Sequence, residues 1–436
     1  MTKRYHTNPS FSPLKRRRVE VNFEGGAITS DGGVLLLREV DRRLRLSEAV
    51  SKAIPDHRNP FFCVHSQTAL VRQRLFGLAL GYEDLNDHIQ LRHDGAVQTA
   101  VGELRTLASP ATLCRLEKRA SKQAAFDLHQ VLVQQFIARF DQPPKELILD
   151  LDATHDPVHG EQVGRHFNSY YDSYCFLPLY VFCGQHLLVS YLRPASRGAA
   201  FHATAILKWL VQALREAWPK VKLIVRADAG FCVPLLLGWC DRNDIDYLIG
   251  MAQNSVLSAK AHLYTTLAAS GYRRDLQPQK EFGEFRYRAG SWSRERRMIV
   301  KAEYSVKSEN TRYVVTSLNS SPRHIYATLY CARGNMENCI KEQKCLFSDR
   351  TSCHHWWPNQ LRVLLSGFAY LLMHELRRVA LVDTDLEHCQ VDTLRLRLFK
   401  VGGIVIRNTR RIRILLSSHF PYQAIFTLFA SRLNST

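Results

Sequence analysis

Apolar spacing divides the 436-residue chain into stretches of different period. Between residues 28 and 140, apolar positions recur every three or four residues, as in QTALVRQRLFGLALGY and KQAAFDLHQVLVQQFIARF, which predicts a mainly helical region. Ser109-Pro110 within it is a cap-then-proline helix start. DQPPKE, residues 141–146, reads as a linker. In ELILDLDAT the period changes to two: Leu147, Leu149 and Leu151 alternate with Ile148, Asp150 and Asp152, predicting a strand with at least one buried face. Pro157 and Gly160 end that pattern. A hairpin is expected next, YCFLPLYVFCG then HLLVSYLRP, turning near Gly184 and Gln185. A helix over about 200–218 precedes a short buried strand at Leu223, Ile224 and Val225. The helical stretch PLLLGWCDRND and the strand DYLIGMA, 246–252, follow. Residues 253–325 carry the β-like runs FGEFRYRAG, RMIVKAEYS and TRYVVTSL and read as an insertion. A helix over 330–344, an apolar helix over about 359–382, and a tail mixing β-branched residues with cations complete the chain.

The richest candidate chemistry lies in YCARGNMENCIKEQK, residues 330–344. Tyr330, Arg333, Glu337 and Lys344 stand in the spacing Y-x2-R-x3-E-x6-K. At about 100° per residue they fall within roughly 80° of helical arc, and Lys341 joins them. One face then carries a carboxylate between three cations and a phenol, suited to a DNA phosphate and a metal ion. The alternative is a solvated face with ion pairs four residues apart. Two further acids strengthen the chemical reading. Asp152 and Asp228 each close a buried strand, where open α/β sheets place their ligands. Each also suits a turn or a helix cap, and Asp150 rivals Asp152.

Charge adds a partner class. Lysine and arginine number 59 against 40 acids, a formal net charge of +19, as expected for a protein that meets a polyanion. Basic runs occur at Lys15–Arg18, Arg294–Arg297 and 407–413, the first within a polar, basic arm over residues 1–27. Eleven cysteines without a C-x2-C pair suggest a reducing compartment rather than a disulfide framework. LLSGFAYLLM, 364–373, is too short to span a bilayer, and residues 1–20 carry no secretory pattern. Cys345, Cys353, His354 and His355 are a rival zinc set without a recognised spacing. His155, Asp156 and His159 read as loop-shaping residues.

Taken in order, ITSDGGVLLLREVD, LDLDATHDPVHGEQ, FLPLYVFCG, IVRADAGF, ARGNMENCIKEQK and DRTSCHHWWPNQLR resemble bacterial insertion-sequence transposases of the DDE type bearing the Y-x2-R-x3-E-x6-K signature, most closely insertion-sequence family 1380. The resemblance runs from about residue 15 to the C-terminus. It implies an α/β fold: a ribonuclease H-like core, first part 141–252 and second part 326–436, interrupted by a β-rich insertion at 253–325. A mainly helical domain at 28–140 is then expected to bind DNA ends and support assembly. In such a core the first and fourth strands are neighbours, and a later helix supplies the third acid. The family pattern, an aspartate before a small residue and Thr, selects Asp152 over Asp150. Asp152, Asp228 and Glu337 are the implied catalytic acids and metal ligands, with Mg²⁺ the expected ion and Mn²⁺ a substitute. Tyr330, Arg333, Lys341 and Lys344 are the implied DNA contacts on the helix, and Trp292, Arg296 and Arg297 those of the insertion, with Trp292 equally suited to packing and Lys341 to a plain surface position. The partners implied are double-stranded DNA, as element ends and target, and a second copy of the chain on paired ends. The expected location is the bacterial cytoplasm, at the nucleoid. Two other classes share these features: a non-catalytic DNA-binding protein on the same fold, and a structure-specific nuclease.

Overall fold

In the computed structural model, residues 9–434 are described, so the first eight residues of the expected basic arm lie outside the described part. The described chain divides into two compact units. One holds residues 9–43, 60–114 and 375–434, and the other residues 44–59 and 115–374. The segment 28–140, expected as one helical domain, is therefore shared between them.

The first unit contains the helices Gln67–Leu80 and Gly95–Val101. It also has a three-stranded sheet in which Gly403–Arg407 pairs with Ile412–Leu416 and with Ile28–Thr29. Asp31, 1% exposed, is held there by Lys400 at 2.6 Å and the Tyr82 hydroxyl at 2.7 Å. Residues 10–20, expected as a flexible arm, form a two-stranded hairpin, Ser10–Leu14 with Arg17–Glu20. Its turn is made possible by Lys15 at φ 57°.

The second unit is built on an eight-stranded sheet. The sheet's strands and the helices that follow them, in chain order from residue 146, include β1 (Glu146–Ala153), β2 (Leu179–Cys183), β3 (His186–Tyr191), α1 (Ala203–Ala217), β4 (Lys222–Ala227), α2 (Pro234–Arg242) and β5 (Asp246–Met251), with the helix Lys122–Ile137 ahead of them. They continue as α3 (Ser255–Asp275), β6 (Gln279–Tyr287), β7 (Arg296–Ser305), β8 (Ser308–Thr316), α4 (Gly334–Cys345) and α5 (Trp356–Leu376). The sheet order is β6-β7-β8-β5-β4-β1-β2-β3. β1, β4 and β5 are parallel, and every other pairing is antiparallel. The first and fourth strands are neighbours.

The alternation in β1 has its expected consequence. Leu147, Leu149 and Leu151 join Leu223, Val225 and Ala227 of β4 in one large core with Leu207, Leu210 and Leu214 of α1. Ile148 and Ile224 face the other side, where Ile325, Tyr326, Leu329 and Tyr330 pack. Two side chains close the edge of β3. The His129 imidazole accepts from the Ser190 N–H at 3.3 Å, and Gln360 accepts from Leu192 N–H at 2.8 Å while donating to Ser190 C=O at 2.9 Å. An edge so covered cannot pair with a stray strand.

Residues 253–325, expected as a β-rich insertion, hold α3, a 21-residue helix, and three strands that extend the core sheet. Only Tyr313–Thr316 of β8 pair with β5, so β8 and its partner β7 run on beyond Met251, the C-terminal end of β5.

Three insertion residues expected to touch DNA are engaged within the protein. Trp292 is 3% exposed, edge-to-face with Tyr287 at 5.6 Å. Arg296 is 3% exposed, donating to Asp241 and to the Tyr247 hydroxyl, each at 2.6 Å, with its guanidinium over the rings of Tyr247 and Trp292. Arg297 binds Glu284 and the carbonyls of Leu318 and Ser320. For Arg296 the cause is its phase: it starts the register Arg296, Met298, Val300, Ala302, whose residues are all buried. Truncating Trp292 to alanine is therefore expected to cost about 3–5 kcal/mol of stability. Denaturant unfolding measures it. DNA affinity that falls with no loss of stability would return Trp292 to the DNA-contact reading.

Candidate active site

Register brings the two aspartates together. In the parallel pair, Asp150 lies opposite Arg226 and Leu151 opposite Ala227. Asp152 and Asp228 are each the next residue, so they stand side by side at the same sheet end and on the same face. That face is the one covered by the chain leading into α4.

Asp150, the rival for the first position, is committed elsewhere. It is 2% exposed and held bidentately by Arg226, whose Nη2 lies 2.7 Å from its Oδ2. Arg226 also donates to the carbonyl of Leu329, next to Tyr330. One buried guanidinium therefore joins β1 and β4 and ties both to the segment that carries the third acid. Sequence reading passed over Arg226. Its signal was present: a cation inside the apolar run LIVRA, two residues before Asp228, as Asp150 is two before Asp152.

The third acid arrives on an irregular helix. His324–Tyr330 is π-helical, Cys331–Arg333 is a 3-10 turn, and only then does α4 begin. The uniform 100° spacing assumed across residues 330–344 therefore fails at its start, a kind of irregularity that recurs at functional sites. Arg333 is nonetheless placed among all three acids. Its Nη1 lies 3.3 Å from Glu337 Oε1, and its Nη2 lies 3.7 Å from Asp228 Oδ2 and 3.9 Å from Asp152 Oδ1. Lys344 points to another part of the site, donating to the His155 carbonyl at 2.9 Å, and Lys341 is exposed. Tyr330 is half-buried, and a Cβ at Gly250 would come within 2.6 Å of its hydroxyl. Gly250, also unmarked in the sequence reading, is the space that lets this phenol approach the Asp228 strand end.

Electrostatics follow from burial. The Asp152 carboxyl is pushed up to about 6, chiefly by desolvation. Asp228 and Glu337 add to the rise, while Arg333 and the Ala153 N–H oppose it. Burial raises the Tyr330 phenol, with Arg333 opposing and Asp228 adding.

The donor set is three carboxylates, hard oxygen ligands of the kind magnesium and manganese take. The demand of Asp152 for positive charge fits such an ion. In this arrangement Arg333 meets that demand. Among the described residues no three His, Cys, Asp or Glu side chains are drawn close enough to hold an ion without movement. The same holds for the rival zinc set. Its His354 engages the Glu161 carbonyl, and the Cys353 N–H donates to Asn359.

Acids and cations converging at one sheet end suit an enzyme that transfers phosphoryl groups on nucleic acid. The sequence matches the family described as Transposase DDE domain group 1 over residues 11–436. The chain belongs to that family: it is a DDE transposase, a polynucleotidyl transferase. No curated relative matches. Among solved structures, the cryo-EM structure of the piggyBac transposase synaptic complex with hairpin DNA is similar, with TM-score 0.41 and 10% identity, covering 93% of this chain and 82% of that one. Among the described residues, no helix is long and apolar enough to cross a membrane.

Ionising a carboxyl whose folded value is raised costs stability. Here that cost is absent below the ordinary carboxylate value of 3.8 and complete above about 6. With chelator present, the protein is expected to lose stability as pH rises through that window. Asp152→Asn should then be more stable than the parent at pH 7.5, by up to about 3 kcal/mol. Thermal melting with chelator tests this, and a melting temperature equal to or below the parent's rejects it.

Proposed function

We propose that Asp152, Asp228 and Glu337 are the catalytic acids of this transposase and that they hold its divalent ions. The observation that carries the reading is their convergence on the Arg333 guanidinium. The strand order β3-β2-β1-β4-β5, with antiparallel strands first and a parallel trio after, supports a ribonuclease H-like core. The quoted motifs support membership of insertion-sequence family 1380.

When bound, magnesium or manganese supplies charge neutralisation on the attacking and leaving oxygens of a phosphodiester. The protein's own groups do the rest. Arg333, 14% exposed, is held among the acids and presents guanidinium N–H groups suited to phosphate oxygens. Lys344 commits one N–H to His155 and keeps two for the DNA backbone. Tyr330, braced against Gly250, positions the strand, and Lys341 adds an exposed charge. The substrates on this reading are double-stranded element ends and target DNA, in keeping with the net charge of +19.

Asp152→Asn, Asp228→Asn and Glu337→Gln are each expected to lower cleavage of element-end DNA by at least about 10³-fold, roughly 4 kcal/mol in the barrier. End binding should survive. Cleavage and binding lost in equal measure would make these residues structural. Strand-transfer products with the element's own ends separate a transposase from a nuclease sharing the same core.

Cutting two ends and joining both to one target is met with the least machinery by two such sites in one complex. Two-fold pairing is the commonest closed arrangement. Two protein copies per pair of ends are expected, measurable as the mass of the complex on a short end duplex. Concerted joining by one copy on one end would exclude the dimer.

A further inference from the structure

Immediately after β1 the chain forms a small three-stranded sheet, Asp156–Pro157, His166–Asn168 and Ser173–Phe176. This side sheet is unusually rich in solvent-facing rings. Tyr170, at the turn between its last two strands, is 86% exposed. Phe167 and Tyr174, directly opposite each other across the strands, are 45% and 50% exposed. Such rings cost free energy in water unless something covers them.

The turn that carries Tyr170 is held in place. The Tyr170 N–H donates to the Asn168 side chain at 3.0 Å, and that side chain donates to the Ala195 carbonyl at 3.1 Å. Asp172 takes φ 49° to complete the turn. The rings also lead inward. Tyr170 meets Tyr171 edge-to-face at 4.8 Å, and Tyr171 stacks on His155 at 4.6 Å and 20°. His155 lies three residues past Asp152, and its carbonyl holds Lys344. The Tyr171 hydroxyl lies within electrostatic reach of both Asp152 and Asp228. On the outer face Arg165 sits 4.9 Å over the Tyr174 ring, which pairs with Phe167 at 5.5 Å.

We propose that this side sheet is a stacking platform for unpaired nucleobases of the DNA strand that reaches the acid cluster, with Tyr170 as its outermost ring. Exposed aromatic faces interleaved with cations are how proteins hold single strands without reading sequence, since every base offers a π-face. Continuity decides the occupant: the rings run from Tyr170 in solvent through Tyr171 to His155, whose carbonyl holds Lys344 beside the acids, while Arg165 charges the neighbouring Tyr174–Phe167 pair. A phosphodiester strand lying on the acids places its neighbouring bases on these rings. The location rests on the proposed catalytic role of the acids, but the stacking itself does not.

The test uses the full chain with chelator, so that no chemistry occurs. Its affinity for an oligothymidylate of about ten nucleotides is compared with that for a duplex of equal length. Tyr170→Ala is expected to weaken single-strand binding on the order of 10-fold or more, the size of one lost base–aromatic stack. Duplex affinity should stay within about two-fold, and Tyr170→Phe should retain the parent's single-strand affinity. The site is exposed, so an unchanged melting temperature confirms that the variant is folded. Unaltered single-strand binding in Tyr170→Ala, an equal loss for duplex and single strand, or no single-strand binding by the parent overturns the platform. Cleavage by the acid variants reports separately on the catalytic reading. If Asp152→Asn cuts normally while Tyr170→Ala loses only single-strand affinity, the acids fail and the platform stands.

Discussion

The in-phase parallel pairing of β1 with β4 is what sets Asp152 beside Asp228 at one end of the sheet. Side chains alternate between faces, so a slip of one residue in either strand sends its aspartate into the apolar core beneath α1. Hydrophobic burial alone specifies that register only through which face is apolar. The Asp150–Arg226 pair adds a polar specification, because its two hydrogen bonds form only when residue 150 lies opposite 226. A buried ion pair is weak evidence for stability, since desolvation offsets much of its attraction. Losing one partner is different: an uncompensated buried charge costs about 3–5 kcal/mol. The pair thus acts as a lock more than as a source of stability. Through the Leu329 carbonyl the lock extends to the segment that delivers Tyr330 and Glu337.

Gathering three carboxylates has an electrostatic cost that packing does not repay. Repulsion is screened at Asp228 and Glu337, which are partly exposed, and weighs most on the buried Asp152. Arg333 offsets repulsion among the acids at three contacts of 3.3–3.9 Å. Asp152, the most buried of the three, is still displaced upward, chiefly by desolvation and to a lesser degree by Asp228 and Glu337. On the metal-binding reading proposed above, a divalent ion would relieve what repulsion remains among the acids. The exposure gradient points the same way: the side chains of Asp152, Asp228 and Glu337 are 15%, 40% and 57% exposed. The innermost acid is fixed by its strand, and the outermost sits on a helix face open to ligands.

Much of this was legible in the sequence because period two and the placement of acids at strand ends are local signals. Leu147, Leu149 and Leu151 announced β1, and the order of elements matched the sheet. What was missed depends on partners distant in sequence. Nothing local distinguishes Arg296, buried on Asp241 and Tyr247, from a surface cation, except its phase with Met298 and Val300. Arg226 needs the register with Asp150 to be understood. The helix face of residues 330–344 was drawn on a uniform α-helix, whereas the π-helical and 3-10 turns before Gly334 alter its phase. Hairpin formation at residues 10–20 rests on a left-handed Lys15, a conformation that sequence does not signal for lysine.

The extended sheet also relocates the insertion's relation to the acids. Because β5 runs parallel to β4, its C-terminal end at Met251 lies at the acid end of the sheet. Met251 pairs with Tyr313, so Ser308–Arg312 of β8, paired throughout with β7, project past that end by about 17 Å at 3.4 Å per residue. Trp292, Arg296 and Arg297 lie at the opposite end of these strands. The exposed charges on the projection are different ones: the cations Lys280, Lys307 and Arg312, with Glu309 among them and Glu303 3.5 Å from Lys280. Arg312 lies close enough to act on the Tyr330 phenol. A backbone ladder continuous with β5, β4 and β1 holds this projection more firmly than a tethered domain could be held. The insertion therefore meets the acids through its strand ends, and its buried tryptophan serves to keep those strands packed.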